Sequence, residues 1–175
     1  MSAMRSAGRP GFAGGFSLVE VILVIAILGI LAWISYPKIS AISEIRLDAA
    51  ARRVASDLRY AQNRSIGTRV IHGIFFEPSL SRYTVFAPTV ASPLVDPADR
   101  ARTLLVDFTR KTEFKGVAIS SAAFGTSKAI TFDYFGVPRD SGGVDLAATG
   151  RVILTFQGLS DTVDVTPGTG KVVVR

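Results

Sequence analysis

Three hydrophobic patterns follow one another along the chain. From Phe16 to Tyr36 nearly every residue is apolar, and Glu20 is the single charge. At about 1.5 Å per residue this run reaches ~30 Å as a helix, the thickness of a bilayer core. After Pro37 the pattern turns amphipathic. Ile39, Ile42, Leu47, Ala50, Val54, Leu58 and Ala61 recur at three- and four-residue steps, while Arg46, Arg52, Arg53, Asp57, Arg59 and Arg64 fall mainly elsewhere. Pro37 lacks a backbone donor and clashes with the carbonyl of Trp33, so a helix bend is expected there. Gly67 marks the expected stop. One helix from about Phe16 to Ile66 is therefore predicted, its second half lying against the distal domain.

From Arg69 onward the period becomes two. "RVIHGIFF" and "RYTVFA" flank "EPSLS" and read as a hairpin, and "PTVASPLVDPADRAR" reads as a loop before "TLLVDF". "GVAIS", "AITFDYFG", "VDLA", "RVILTF", "DTVDV" and "KVVVR" come next as short strands, with turns at "FGVPRDSGG", "QGLS" and "PGTG". Strands so close in sequence imply antiparallel pairing in two small sheets, packed on one another and on the helix. The expected fold class is α+β: a long N-terminal helix, transmembrane in its first half and amphipathic in its second, packed on a C-terminal domain of antiparallel β-sheets.

Charge and composition refine this picture at the N-terminus. The 175 residues include no cysteine, so neither a disulfide nor a thiolate metal site is available. Arg5 and Arg9 precede the apolar run without an acidic residue, which keeps that end in the cytoplasm and exports the rest. A secretory signal peptide would have a shorter apolar core ending at a small-x-small cleavage site. A simple signal anchor accounts for the length but leaves Glu20 unexplained. A carboxylate inside hydrocarbon costs on the order of 2.5–3.5 kcal/mol even on lenient insertion scales. The plainer account of Glu20 is a carboxylate snorkelling to the headgroups.

The stretch "GGFSLVEV" resembles the processing site of type IV pilins and of type II secretion pseudopilins. The resemblance implies a leader, residues 1–15, that a prepilin peptidase removes between Gly15 and Phe16, followed by N-methylation of Phe16. The net charge would fall from +6 to +4 as Arg5 and Arg9 leave with the leader. The new Phe16 ammonium and Glu20 then lie one helical turn apart on the same side of the helix. In a stack of offset subunits the Glu20 carboxylate can meet a neighbour's terminal amine, and pairing offsets the burial of both charges. On this division, residues 16–37 form the transmembrane and assembly half of the helix, 38–67 the amphipathic half, and 68–175 a periplasmic β-rich domain. "LDAAARRVASDLRYAQNRSI", "ITFDYFGVPRDSGG" and "VDVTPGTGKVVVR" extend the resemblance to GspH/FimT-type minor pseudopilins and minor pilins.

Those families imply a non-enzymatic subunit without cofactor. Its expected partners are other pseudopilins or pilins, the peptidase and an inner-membrane assembly platform. The expected location is the bacterial inner membrane, single-pass with a cytoplasmic N-terminus, and then the periplasmic pseudopilus or pilus. His72, the only histidine, sits at a strand position with no motif to supply a nucleophile, and a packed strand histidine is expected. Asp140 and Asp145 near "SGG" lack EF-hand spacing, so no metal is expected. Some FimT-like minor pilins capture DNA through a C-terminal Gly–Arg–x–Arg motif. Here the stretch is "GKVV" from Gly170, with Lys171 for the first arginine and Val173 for the second. Alternation puts Lys171 and Arg175 on one strand face, so a small basic strip is the candidate DNA contact, a less favoured reading.

Overall fold

The protein is described by a computed structural model covering residues 17–175, apart from the side chains of 34–41. Gly15, Phe16 and the side chain of Pro37 lie outside the described residues. Helix α1 spans Leu18–Thr68. Nine strands follow among the described residues: β1 His72–Glu77, β2 Arg82–Phe86, β3 Leu105–Asp107, β4 Ala118–Ala123, β5 Ala129–Phe132, β6 Pro138–Asp140, β7 Gly150–Phe156, β8 Leu159–Val165 and β9 Val172–Val174. The chain divides into two compact units, Met1–Ile39 and Ser40–Arg175.

In the first unit every residue from 17 to 33 is exposed, the large apolar side chains from 46% at Val21 to 83% at Trp33. Among the described residues no helix is long and apolar enough to cross a membrane. The apolar run of the sequence is longer than this described part, since Phe16 and the side chains of Ile34, Ser35 and Tyr36 fall outside it.

The second unit builds two antiparallel sheets, with strand orders β3-β2-β1-β5-β6 and β4-β7-β8-β9. Alternation along the strands sends Ile74, Phe76, Tyr83 and Val85 inward from the first sheet, and Val152, Leu154, Val163 and Val165 from the second. These meet Leu47, Ala50, Val54, Leu58 and Ala61 of α1 in one continuous core. Ala50, Ala51, Ala55 and Ala61 are fully buried, and their small side chains let the sheets approach the helix closely.

Three expectations change in detail. The helix runs through Gly67 to Thr68, and the left-handed turn that ends it falls on Arg69 (φ 54°), with the Thr68 hydroxyl donating to the Arg64 carbonyl at 2.8 Å. Ile42 is half-exposed, because the covering sheets reach down the helix only to the level of Ser43, whose hydroxyl donates to Gln157 at 2.6 Å. The stretch read as a turn at "FGVPRDSGG" contains β6, paired with β5, whereas "VDLA" forms a single bridge from Asp145 to Arg139.

Candidate assembly site

Glu20 stands in the first turn of α1, on the exposed apolar segment. The Ser17 carbonyl accepts the Glu20 and Val21 amides at 2.9 and 3.2 Å, so the helix starts there. Ser-x-x-Glu is a helix-start signature that sequence reasoning passed over, and a carboxylate in the first turn also complements the helix dipole. Glu20 is thus compatible with its helix and presents the only charge of the exposed segment from 17 to 33. Leaving apolar surface of this kind in water forfeits about 25 cal/mol for each Å². Chemically the site offers an apolar rod with one acceptor near its start, which suits docking against a cationic group.

The C-terminal stretch is positioned by the helix. Arg59 Nη2 donates to the Val172 carbonyl at 2.9 Å, and Gln62 Nε2 donates to the carbonyls of Gly136 and Thr169 at 2.9 and 3.0 Å. The turns "DYFG" and "PGTG" are thereby clamped side by side on α1. Both glycines are required there. A Cβ on Gly136 would come within 2.9 Å of Ile66 Cδ1, and one on Gly170 within 2.8 Å of the Gly136 carbonyl, with φ at +82° and +64°. Lys171 is exposed beside this junction. Arg175 lies 3.7 Å from the Asp164 carboxylate, which Arg151 already holds at 2.8 Å. The strip that alternation predicted is therefore partly neutralised, and Lys171 is its freer cation.

The remaining titratable candidates serve the fold. His72 is buried, with Nδ1 2.7 Å from the Val70 carbonyl, and its amide donates to Ser65 Oγ at 2.9 Å. Burial lowers its pKa. Asp140 Oδ1 accepts the amides of Gly142 and Val144 at 2.8 and 3.0 Å and shapes that turn. Arg139 reaches the buried Asp133 at 3.2 Å through Nη2. Its Nε is 2.7 Å from Asp145, close in distance without the alignment of a hydrogen bond. Among the described residues no group of three His, Cys, Asp or Glu is placed to hold a metal ion.

An exposed apolar helix leading into a sheet-covered helical core defines a pilin-like fold. Residues 13–36 match the model of the prokaryotic N-terminal methylation motif. The structure resembles the minor pseudopilin EpsH from the type 2 secretion system of Vibrio cholerae, with TM-score 0.53 and 11% identity over 74% of this chain and 96% of that one. It also resembles the type IV minor pilin FimU of Pseudomonas aeruginosa, with TM-score 0.50 and 12% identity over 74% of this chain and 92% of that one. Among curated proteins none matches the chain at a significant level. The motif match at the N-terminus and the pilin-like fold are what this chain shares with those minor pseudopilin and minor pilin proteins.

Proposed function

We propose that the chain is a minor subunit of a type II secretion pseudopilus, assembling through the first half of α1 to support export of proteins across the outer membrane. The observation that carries this reading is the methylation motif at 13–36 leading into an exposed apolar helix with Glu20 in its first turn. In this reading the prepilin peptidase cuts between Gly15 and Phe16 and the Phe16 amine is methylated. The subunit waits in the inner membrane, N-terminus inside and domain in the periplasm, until the assembly platform passes it to other pseudopilins. Glu20 pairs with the terminal amine of a neighbouring subunit, and Pro37 is where the helix yields as subunits pack. The fold offers surfaces for packing, and its role is mechanical rather than enzymatic.

The second reading is a minor pilin of a type IV pilus, which the resemblance to FimU supports. The resemblance to EpsH supports the secretion reading in the same way. DNA capture is the less favoured extension of the pilus reading, because Arg175 leans on Asp164 and leaves Lys171 to act largely alone. Binding of duplex DNA at low salt, lost on Lys171→Ala, would restore it.

The test is Glu20→Val. The variant is expected to insert and to be cleaved normally, yet to crosslink to neighbouring pseudopilins in intact cells at a small fraction of the wild-type amount. Normal incorporation would contradict the role given to Glu20.

A further inference from the structure

The edges of the two sheets are β3, β6, β4 and β9. A free edge is a row of backbone donors and acceptors that another extended chain can bond. Beyond β6 the chain bonds back on itself, with the Asp140 amide on the Val144 carbonyl at 2.9 Å and the Leu146 amide on the Pro138 carbonyl at 3.2 Å. β4 lies against the turn Pro78–Leu80. On β9, Arg59 holds the Val172 carbonyl. β3 is different. The Val85 amide donates to the Leu104 carbonyl at 3.0 Å and the Phe108 amide to the Ser81 carbonyl at 3.1 Å, with Val106 opposite Tyr83 between them. Leu104, Val106 and Phe108 therefore bond toward β2, and alternation turns the backbone groups of Leu105 and Asp107 outward. The Leu105 amide reaches the Thr103 carbonyl at 2.7 Å. Among the described residues the Leu105 carbonyl and both backbone groups of Asp107 meet no partner.

These groups open into a groove of about 720 Å³, lined by Arg102, Thr103, Leu105, Asp107, Arg110 and Lys111. Its one carboxylate is taken within the chain. The Thr109 hydroxyl and amide donate to Asp107 Oδ1 at 2.6 and 2.9 Å, and Arg110 lies 3.3 Å from Oδ2. Arg102 is 3.1 Å from Asp99, and Lys111 is 3.9 Å from Glu113. The Arg102 and Arg110 side chains are nonetheless 80% and 84% exposed. Exposed pairs of this kind contribute little, so these cations can turn to a carboxylate brought from outside. Arg102 precedes β3 and Arg110 and Lys111 follow it, which puts a cation near each end of the open edge.

We propose that the edge of β3 binds an extended acidic segment of another protein, which adds to the first sheet as a further strand. Open backbone groups specify an extended chain, because a strand presents donors and acceptors at the spacing of Leu105 and Asp107. An antiparallel segment exchanges both bonds with Asp107 and donates once to the Leu105 carbonyl. The cations then select among strands. Acidic residues about four apart in the segment, ~13 Å when extended, reach one end of the edge each. A second copy of β3 fits poorly, since it brings Arg102, Arg110 and Lys111 of both copies together. The site belongs to Ser40–Arg175 and needs neither a processed N-terminus nor Glu20, so it stands apart from the function proposed above.

The test uses the full-length chain in detergent micelles and a fluorescein-labelled peptide, Thr-Glu-Thr-Val-Thr-Glu-Thr, followed by anisotropy at low salt. Saturable binding is expected. The same peptide with lysine for each glutamate should bind about tenfold more weakly. So should one N-methylated at its central Thr-Val-Thr, which keeps the charges and removes the backbone donors. Arg102→Glu combined with Arg110→Glu, both on exposed side chains, should reverse the preference between the acidic and lysine peptides. Asp107→Pro removes the outward amide at an edge position that accepts proline, and should weaken both. If the proline variant unfolds, the N-methylated peptide still decides. No saturable binding of the acidic peptide, undiminished binding of the N-methylated one, or equal binding of both charges would overturn the proposal. The chain has no native cysteine. A disulfide-linked dimer that forms on Thr103→Cys, and not on the exposed control Thr126→Cys, would assign the edge to a second copy and overturn it too.

Discussion

Glu20 gains its meaning from what surrounds it: a helix start at Ser17, a first-turn position and apolar side chains exposed as far as Trp33. Elsewhere single polar groups hold the domain. Tyr83 is fully buried, and its hydroxyl donates to Asp57 Oδ2 at 2.7 Å, where Arg53 Nε also donates at 3.0 Å. Burial, reinforced by the Asp57 charge, raises the tyrosine pKa well above its ordinary value, so the phenol remains a donor. Tyr83→Phe removes one of the two groups shielding a buried carboxylate and should cost about 1–3 kcal/mol in denaturant unfolding. An unchanged midpoint would mean that the bond contributes nothing. Asp161 gives a prediction of opposite sign. Burial and the neighbouring Asp48 charge raise its folded-state pKa, so the folded chain holds the proton more tightly than the unfolded chain. The associated stability is fully present below the ordinary value of 3.8 and is lost as pH rises through the folded value. Asp161→Asn should therefore be more stable than wild type at pH 7 by less than about 1 kcal/mol, with the advantage vanishing toward that lower limit. Unfolding curves offset equally at every pH would refute the cause assigned.

At the scale of elements, the helix and its two clamped turns carry the distal architecture. Gly170→Ala forces a left-handed backbone on a residue with a Cβ and drives that carbon toward the Gly136 carbonyl, so a loss of about 1–3 kcal/mol is expected. A thermal unfolding midpoint within error of wild type would contradict the clamp. Much of this level was legible in the sequence. The switch from three- and four-residue spacing to alternation placed α1, the β1–β2 hairpin and β7 to β9, because those elements have one buried face. What escaped was set by partners distant in sequence. β6 begins at Pro138 and looks like a turn, yet the edge position beside β5 tolerates a proline. Ile42 continues the apolar period of the helix, but no strand reaches it. Gln62 gave no hydrophobic signal at all, and its role appears only when two turns separated by many residues meet on one amide.

For the whole molecule, the two units divide the work. Residues 17–33 present an apolar surface with one carboxylate, and Ser40–Arg175 supplies a sheet-covered core. Glu20→Val should therefore lower incorporation to a small fraction of the wild-type amount while leaving the fold of Ser40–Arg175 intact. The central claim is that the chain is a processed subunit of a secretion pseudopilus. Crosslinking in intact cells, followed by mass spectrometry of the mature N-terminus and of the attached partners, tests it most directly. A chain beginning at N-methylated Phe16 and linked to secretion pseudopilins is the expected result. The same N-terminus linked to pilus subunits would move the protein to a type IV pilus, and an uncut chain linked to neither would contradict the account.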